Sequence, residues 1–193
     1  MKINFRNIKH VTILILAIIL VILKLITTNQ IKEAYKVLEE TEKYIVEPNK
    51  NKKYDCKVNR VIDGDTIEVS FIKEKKEGWS ETEKIRFVGV NTPELNSHNN
   101  KPKEYFSEEA YSFTKQELNG QYIQIQLDNV SAERDKYGRL LAYVYINNFM
   151  FNKILIERGF AKYYPNFEFN NENMEVFNQA EIYAKQNKIG MWK

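Results

Sequence analysis

Two aspartates stand two apart around a glycine in Ile62-Asp63-Gly64-Asp65-Thr66, a spacing that offers carboxylate oxygens to a hard cation from a single turn. Asp-Gly is also an ordinary hairpin tip. Such a pair can open the nucleophile loop of an aspartyl-phosphate phosphatase as well, but that needs a parallel sheet with helices between its strands, and Asp65 leads directly into another strand. A second group runs from Ile85 to Glu94: Arg86 lies on a strand, and Asn91-Thr92-Pro93-Glu94 ends it in a loop where proline restricts the placement of Thr92 and Glu94. A third, Asp135-Lys136-Tyr137-Gly138-Arg139, is a turn whose glycine admits positive φ and which delivers Arg139 at the mouth of the next strand. Taken singly, these are an acidic turn, a solvated arginine and a hairpin.

The elements that must position them follow from periodicity. Ile67, Val69 and Phe71 alternate with polar residues, as do Ile85 with Phe87, and Ile123, Ile125 and Leu127. Leu140 to Ile146 is a further strand turning at Asn147-Asn148, and Tyr54 to Ile62 makes five. Helices are predicted from Glu108 to Asn119 with Ser107 as N-cap and Gly120 as stop, from Asn152 to Arg158 before Gly159, and from Asn173 to Lys188 before Gly190. Short strands followed mostly by helices indicate an α+β fold, a small five-stranded β-barrel with packed helices.

The first 30 residues stand apart. Lys2, Arg6 and Lys9 precede a run of apolar residues from Val11 to Leu23, extended past Lys24 by Leu25 and Ile26. A spanning helix needs roughly 20 residues, with a lower limit of about 17, so Val11 to Thr28 suffices as a transmembrane helix. No small-x-small cleavage site follows, which favours an uncleaved membrane anchor over a removed signal peptide. The leading positive charges put the N-terminus inside and the remainder on the extracellular side; cleavage would instead give a secreted protein. Residues 31–53 read as a short helical stalk over residues 31–46 and a polar linker, Glu47 to Lys53, leaving residues 54–193 as the folded domain.

Composition narrows the chemistry. Residues 1–53 hold 10 Lys/Arg against 5 Asp/Glu, and residues 54–193 hold 19 against 21, so the net charge of +3 belongs to the N-terminal part. Any nucleic-acid binding by the domain must come from a few placed cations. The single cysteine, Cys56, excludes an internal disulfide and reads as a small core residue. The two histidines, His10 before the apolar run and His98 in a polar loop, give no basis for histidine-based cleavage.

In this order and spacing, from about Val58 to Trp192, the three groups resemble the thermonuclease, or staphylococcal nuclease-like, family. Gly159-Phe160-Ala161-Lys162 and the terminal Gly190-Met191-Trp192 belong to the same likeness. The resemblance implies an oligonucleotide-binding-type barrel with three helices, and a calcium-dependent endonuclease cutting DNA and RNA. On that likeness Asp65, Asn91 and the Thr92 carbonyl hold Ca²⁺, Asp63 lies behind them or shapes the turn, Glu94 orients or deprotonates water, and Arg86 and Arg139 clamp phosphate oxygens. Lys136, Tyr137, Tyr163 and Tyr164 contact substrate. Asn91 departs from the best-known member, which has aspartate there, and weaker cation affinity is expected. Replacing either arginine by lysine should lower cleavage with the fold intact. Another class of protein, a catalytically inactive barrel that only binds nucleic acid or protein, does not need Asp65, Arg86, Glu94 and Arg139 together.

Overall fold

A computed structural model of the chain describes residues 32, 33, 35, 36, 52–95, 102–166 and 168–193. The chain divides into two units, Met1–Glu47 and Pro48–Lys193. In the first, Lys32, Glu33, Tyr35 and Lys36 are helical; the expected apolar span and the rest of the stalk lie outside the described residues. Among the described residues no helix is long and apolar enough to cross a membrane.

The second unit is built from β1 (Lys53–Asp63), β2 (Thr66–Phe71), β3 (Thr82–Phe87), β4 (Val90–Asn91), helix α1 (Ser107–Leu118), β5 (Tyr122–Leu127), β6 (Leu140–Ile146), β7 (Phe149–Met150), α2 (Phe151–Glu157), β8 (Lys162–Tyr163), α3 (Asn171–Gln186) and a 3-10 turn, Gly190–Trp192. Five long strands run in the order β3-β2-β1-β5-β6, and a parallel pairing of β3 with β6 closes them into a barrel. Period-two patterning is what fills it: Ile67, Val69, Ile85, Phe87, Ile123, Ile125, Leu140 and Val144 are all buried, because alternate side chains of a strand share one face. Cys56 is fully buried there, and that burial pushes its thiol up to about 12. Asn147 and Asn148 both adopt positive φ, the requirement of a tight hairpin turn with two central residues, and join β6 to β7.

Buried Asn152 pins α2 to the barrel. Its carbonyl oxygen accepts from the Val144 N–H at 2.8 Å and its amide donates to the Val88 carbonyl at 2.9 Å. The predicted helix limits shift by one or two residues, and one cap is corrected. Ser107 is the first helical residue rather than the N-cap; Phe106 occupies that position with φ of 70°, and the Ser107 hydroxyl is buried without a partner among the described residues. The Phe106 ring stacks on Phe160 at 5.6 Å, so aromatic packing decides the entry of α1. For α3, Asn170 takes the cap, accepting from the N–H groups of Glu172 and Asn173.

Candidate active site

Barrel closure itself assembles the site. Antiparallel pairing sets Thr66 opposite Arg86, and the parallel β3–β6 pairing sets Arg86 opposite Leu141, so Asp65, Arg86 and Arg139 come from three strand ends meeting at one rim. They line a cleft of about 1020 Å³ together with Asp63, Asn91, Glu94, Lys136, Tyr137 and Tyr164. Two cations that the sequence reading did not single out, Lys84 and Arg134, line the cleft as well. Lys84 lies two residues before Arg86 on β3, the period-two spacing of side chains on one strand face.

The Asp63–Asp65 turn is held from two sides. The Asp63 carboxylate accepts from the Gly64 N–H at 2.8 Å, and the Thr114 hydroxyl on α1 donates to the Gly64 carbonyl at 2.7 Å. Glycine is required between the aspartates because Thr92 packs over it: a Cβ at Gly64 would lie 2.7 Å from the Thr92 hydroxyl. Thr92 is itself 1% exposed and does not line the cleft; its N–H donates to Asp65 Oδ2 at 3.1 Å. Arg86 binds the same oxygen at 3.1 Å and donates to Asn91 Oδ1 at 3.3 Å, while its other nitrogen donates to the carbonyls of Phe87 and Val90 at 2.7 and 2.6 Å. Burial pushes the Asp63 carboxyl up to about 6, and the neighbouring charges of Asp65 and Glu94 push it the same way against the opposing Gly64 N–H bond.

Arg139 is held differently. Asp135 binds it through Oδ2 at 2.7 Å and uses Oδ1 to accept from the Tyr137 and Arg139 N–H groups, which locks the turn; the guanidinium also donates to the Thr66 hydroxyl at 3.3 Å. Sequence reasoning missed the support behind this turn. Arg134 makes a paired contact with Glu83 at 2.8 and 2.9 Å and donates to the Gly138 carbonyl at 2.8 Å. Tyr137 is exposed, beside Lys136 and Arg139, and Tyr164 lines the cleft. Tyr163 does not: its ring meets Phe169 edge-on at 6.3 Å and its N–H donates to Glu181.

The donors fit a hard cation in kind, since Asp63, Asp65, Asn91 and Glu94 all offer oxygen ligands to one cleft. Among the described residues no three acidic, histidine or cysteine side chains are grouped closely enough to hold an ion by themselves. Calcium takes about six to eight oxygens, so amide, main-chain, water and substrate oxygens would have to complete the shell.

A closed barrel whose rim carries acidic oxygens beside two held guanidiniums offers ligands for a hard cation and donors for the oxygens of a phosphate. Residues 84–193 match the family described as staphylococcal nuclease homologue. The chain is 38% identical over 139 residues to the thermonuclease of Staphylococcus hyicus, covering 70% of this chain and 74% of that protein. It is 36% identical over 160 residues to an uncharacterized protein of Methanocaldococcus jannaschii, 72% of each chain. It is 33% identical over 144 residues to an endonuclease of Bacillus subtilis, covering 75% of this chain and 64% of that protein. The chain belongs to the staphylococcal nuclease family, and at the level of that family it is a nuclease, a hydrolase acting on nucleic acid.

Proposed function

We propose that this chain is a calcium-dependent endonuclease that hydrolyses phosphodiester bonds of DNA and of RNA. The observation that carries the reading is the convergence of Asp65, Glu94, Arg86 and Arg139 on one cleft. Asp65, Asn91 and the Thr92 carbonyl would hold the ion. A bound calcium ion would polarise the scissile phosphate and make a nearby water more acidic.

Glu94 is exposed at the cleft mouth, hydrogen-bonded to the Asp63 carboxyl, and would take a proton from water as its oxygen attacks phosphorus. The bond from phosphorus to the leaving oxygen then breaks, and that oxygen collects a proton from solvent. Arg86 and Arg139 offset the charge developing on the phosphate oxygens; fixed, planar donors do this without reorganising during the step. Lys136 and Tyr137 flank the scissile group, and Tyr164 offers a stacking face, with Tyr163 behind it. The test is incubation of the full-length chain with single-stranded DNA and with RNA across a calcium series. Cleavage that appears with calcium and stops in EDTA is expected; strands bound but uncut at every calcium concentration would make this a binding module.

The N-terminal segment is proposed as an uncleaved single-pass anchor that leaves the nuclease domain on the extracellular side of the membrane. Protease added to intact cells should remove the domain and leave Lys2 to Lys9 protected. A soluble mature chain starting near Thr28 would make the segment a cleaved signal.

A further inference from the structure

Beside the main cleft lies a second pocket of about 260 Å³, walled by Pro93, Glu104, Tyr105, Lys162, Met191 and Trp192, and Asn91 lines both. The volume is below the roughly 300–1,000 Å³ of sites that take whole small molecules, which suits a fragment such as a single base. Its walls are fixed by independent devices. The antiparallel pairing of β4 with β8 sets Lys162 opposite Asn91. Gly159 and Gly190 touch so closely that a Cβ on Gly159 would lie 2.2 Å from the Ile189 carbonyl, and the Met191 N–H donates to the Gly159 carbonyl at 2.9 Å. That contact seats the terminal turn, and Trp192 with it, at the pocket wall.

Glu104 is bonded twice to the loop of Glu94: its carboxylate accepts from the Glu94 N–H at 3.1 Å and its own N–H donates to the Glu94 carbonyl at 3.2 Å. Tyr105 is 73% exposed, yet its ring lies 5.8 Å from Phe106, which stacks on Phe160 and, through it, on Phe113. The outermost ring of a ladder rooted in the core is thus presented to solvent at the pocket rim. The Trp192 indole N–H is buried without a partner among the described residues.

We propose that this pocket seats the base of a nucleotide adjacent to the scissile phosphate, stacked against Tyr105 and Trp192, with Lys162 facing the neighbouring phosphate. The assignment rests on the nuclease reading above. A strand whose phosphate lies in the main cleft must leave it, and Asn91 is the shared wall across which the next nucleotide passes. Two aromatic rings and one lysine are the recognition elements of single strands, sequence-tolerant because every base has a stacking face.

Tryptophan emission reports the pocket directly. The chain has two tryptophans, and Trp79 is buried and bonded to Glu133, so contact quenching by a strand reads Trp192. The experiment uses the full-length chain in EDTA with fluorescein-labelled single-stranded decanucleotides, each carrying one abasic position, and follows polarisation and tryptophan emission together. The expected result is quenching that Trp192→Phe abolishes, and about a tenfold loss of affinity when the abasic site falls at one position, a position effect that Tyr105→Ala erases. A strand that polarisation shows bound, but that leaves emission unchanged or loses affinity equally at every position, overturns the pocket alone. A strand that does not bind at all overturns the pocket, and the nuclease reading is then decided separately by the calcium-dependent cleavage test above.

Discussion

Arg86 sits on β3 with its side chain 7% exposed, bonded to two main-chain carbonyls, Asn91 and Asp65, whereas Arg139 stands at the entrance of β6 with 26% of its side chain exposed and one carboxylate, Asp135, as its principal partner. One guanidinium is part of the barrel's closure as well as of its rim. The other is mounted on a turn that the barrel carries. The same charge, proposed for the same phosphate, is therefore expected to have different consequences for folding. The expectation that lysine at either position leaves the fold intact is kept for Arg139 and revised for Arg86, where a lysine cannot donate to two carbonyls and two side chains with the geometry of a planar fork.

The largest effect expected from this contrast is on stability. Arg86→Ala leaves Asp65 buried without its cation and takes one donor each from the Phe87 and Val90 carbonyls, and should cost about 3–5 kcal/mol in urea unfolding. Arg139→Ala should cost less, about 1.5–3 kcal/mol in the same measurement, because the Asp135 carboxylate it leaves is 4% exposed but keeps the Tyr137 and Arg139 N–H donors, while the cleavage rate falls about 10²-fold or more. Equal losses of stability would erase the distinction.

The support behind Arg139 comes next. Glu83→Gln should cost about 1.5–3 kcal/mol, the range for hydrogen bonds to charged groups, and loosen the turn. Its pH dependence has a definite sign. The Arg134 contact holds the Glu83 carboxyl below its ordinary value of 4.5, with the Ser80 N–H assisting, so the stabilisation is fully present above the ordinary glutamate range and is lost as pH falls through the lowered value. Urea midpoints of parent and Glu83→Gln should therefore converge in acid; a difference that persists unchanged below that range would remove the pair from the account.

The smallest expected effect is at Asn91. Asn91→Asp adds a charge to the proposed calcium shell and should tighten calcium about tenfold by calorimetry at low ionic strength, within the roughly 1–4 kcal/mol available to charges at contact distance. Arg86 already donates to Asn91, so part of the added charge strengthens that contact instead. Unchanged calcium affinity would mean that Asn91 is not a ligand.

What the sequence made legible follows the range of the forces. Alternation in β2, β3, β5 and β6 is a local signal of a half-buried strand, and Asn147-Asn148 a local turn. The spacing of Asp63, Asp65, Arg86, Glu94 and Arg139 survived into one cleft because each lies at a strand end and closure of a barrel brings such ends to a rim. The Glu83–Arg134 pair joins residues 51 apart, and no local pattern announces it. The β4–β8 ladder is two residues long on each side, too short for any periodicity. Ser107 had the composition of a cap, but packing of Phe106 on Phe160 displaced it. Tyr163 and Tyr164 looked alike until α3 and Phe169 took one of the two rings.

The most direct test of the cleft as a cleavage centre is the single-turnover rate of Glu94→Gln on single-stranded DNA at saturating calcium. Glu94 is exposed, so the substitution should leave unfolding nearly unchanged and the rate alone should respond. The account predicts a fall of about 10²-fold or more, the low end of what a positioned general base contributes, with strand binding retained. A rate within a few-fold of the parent would contradict it.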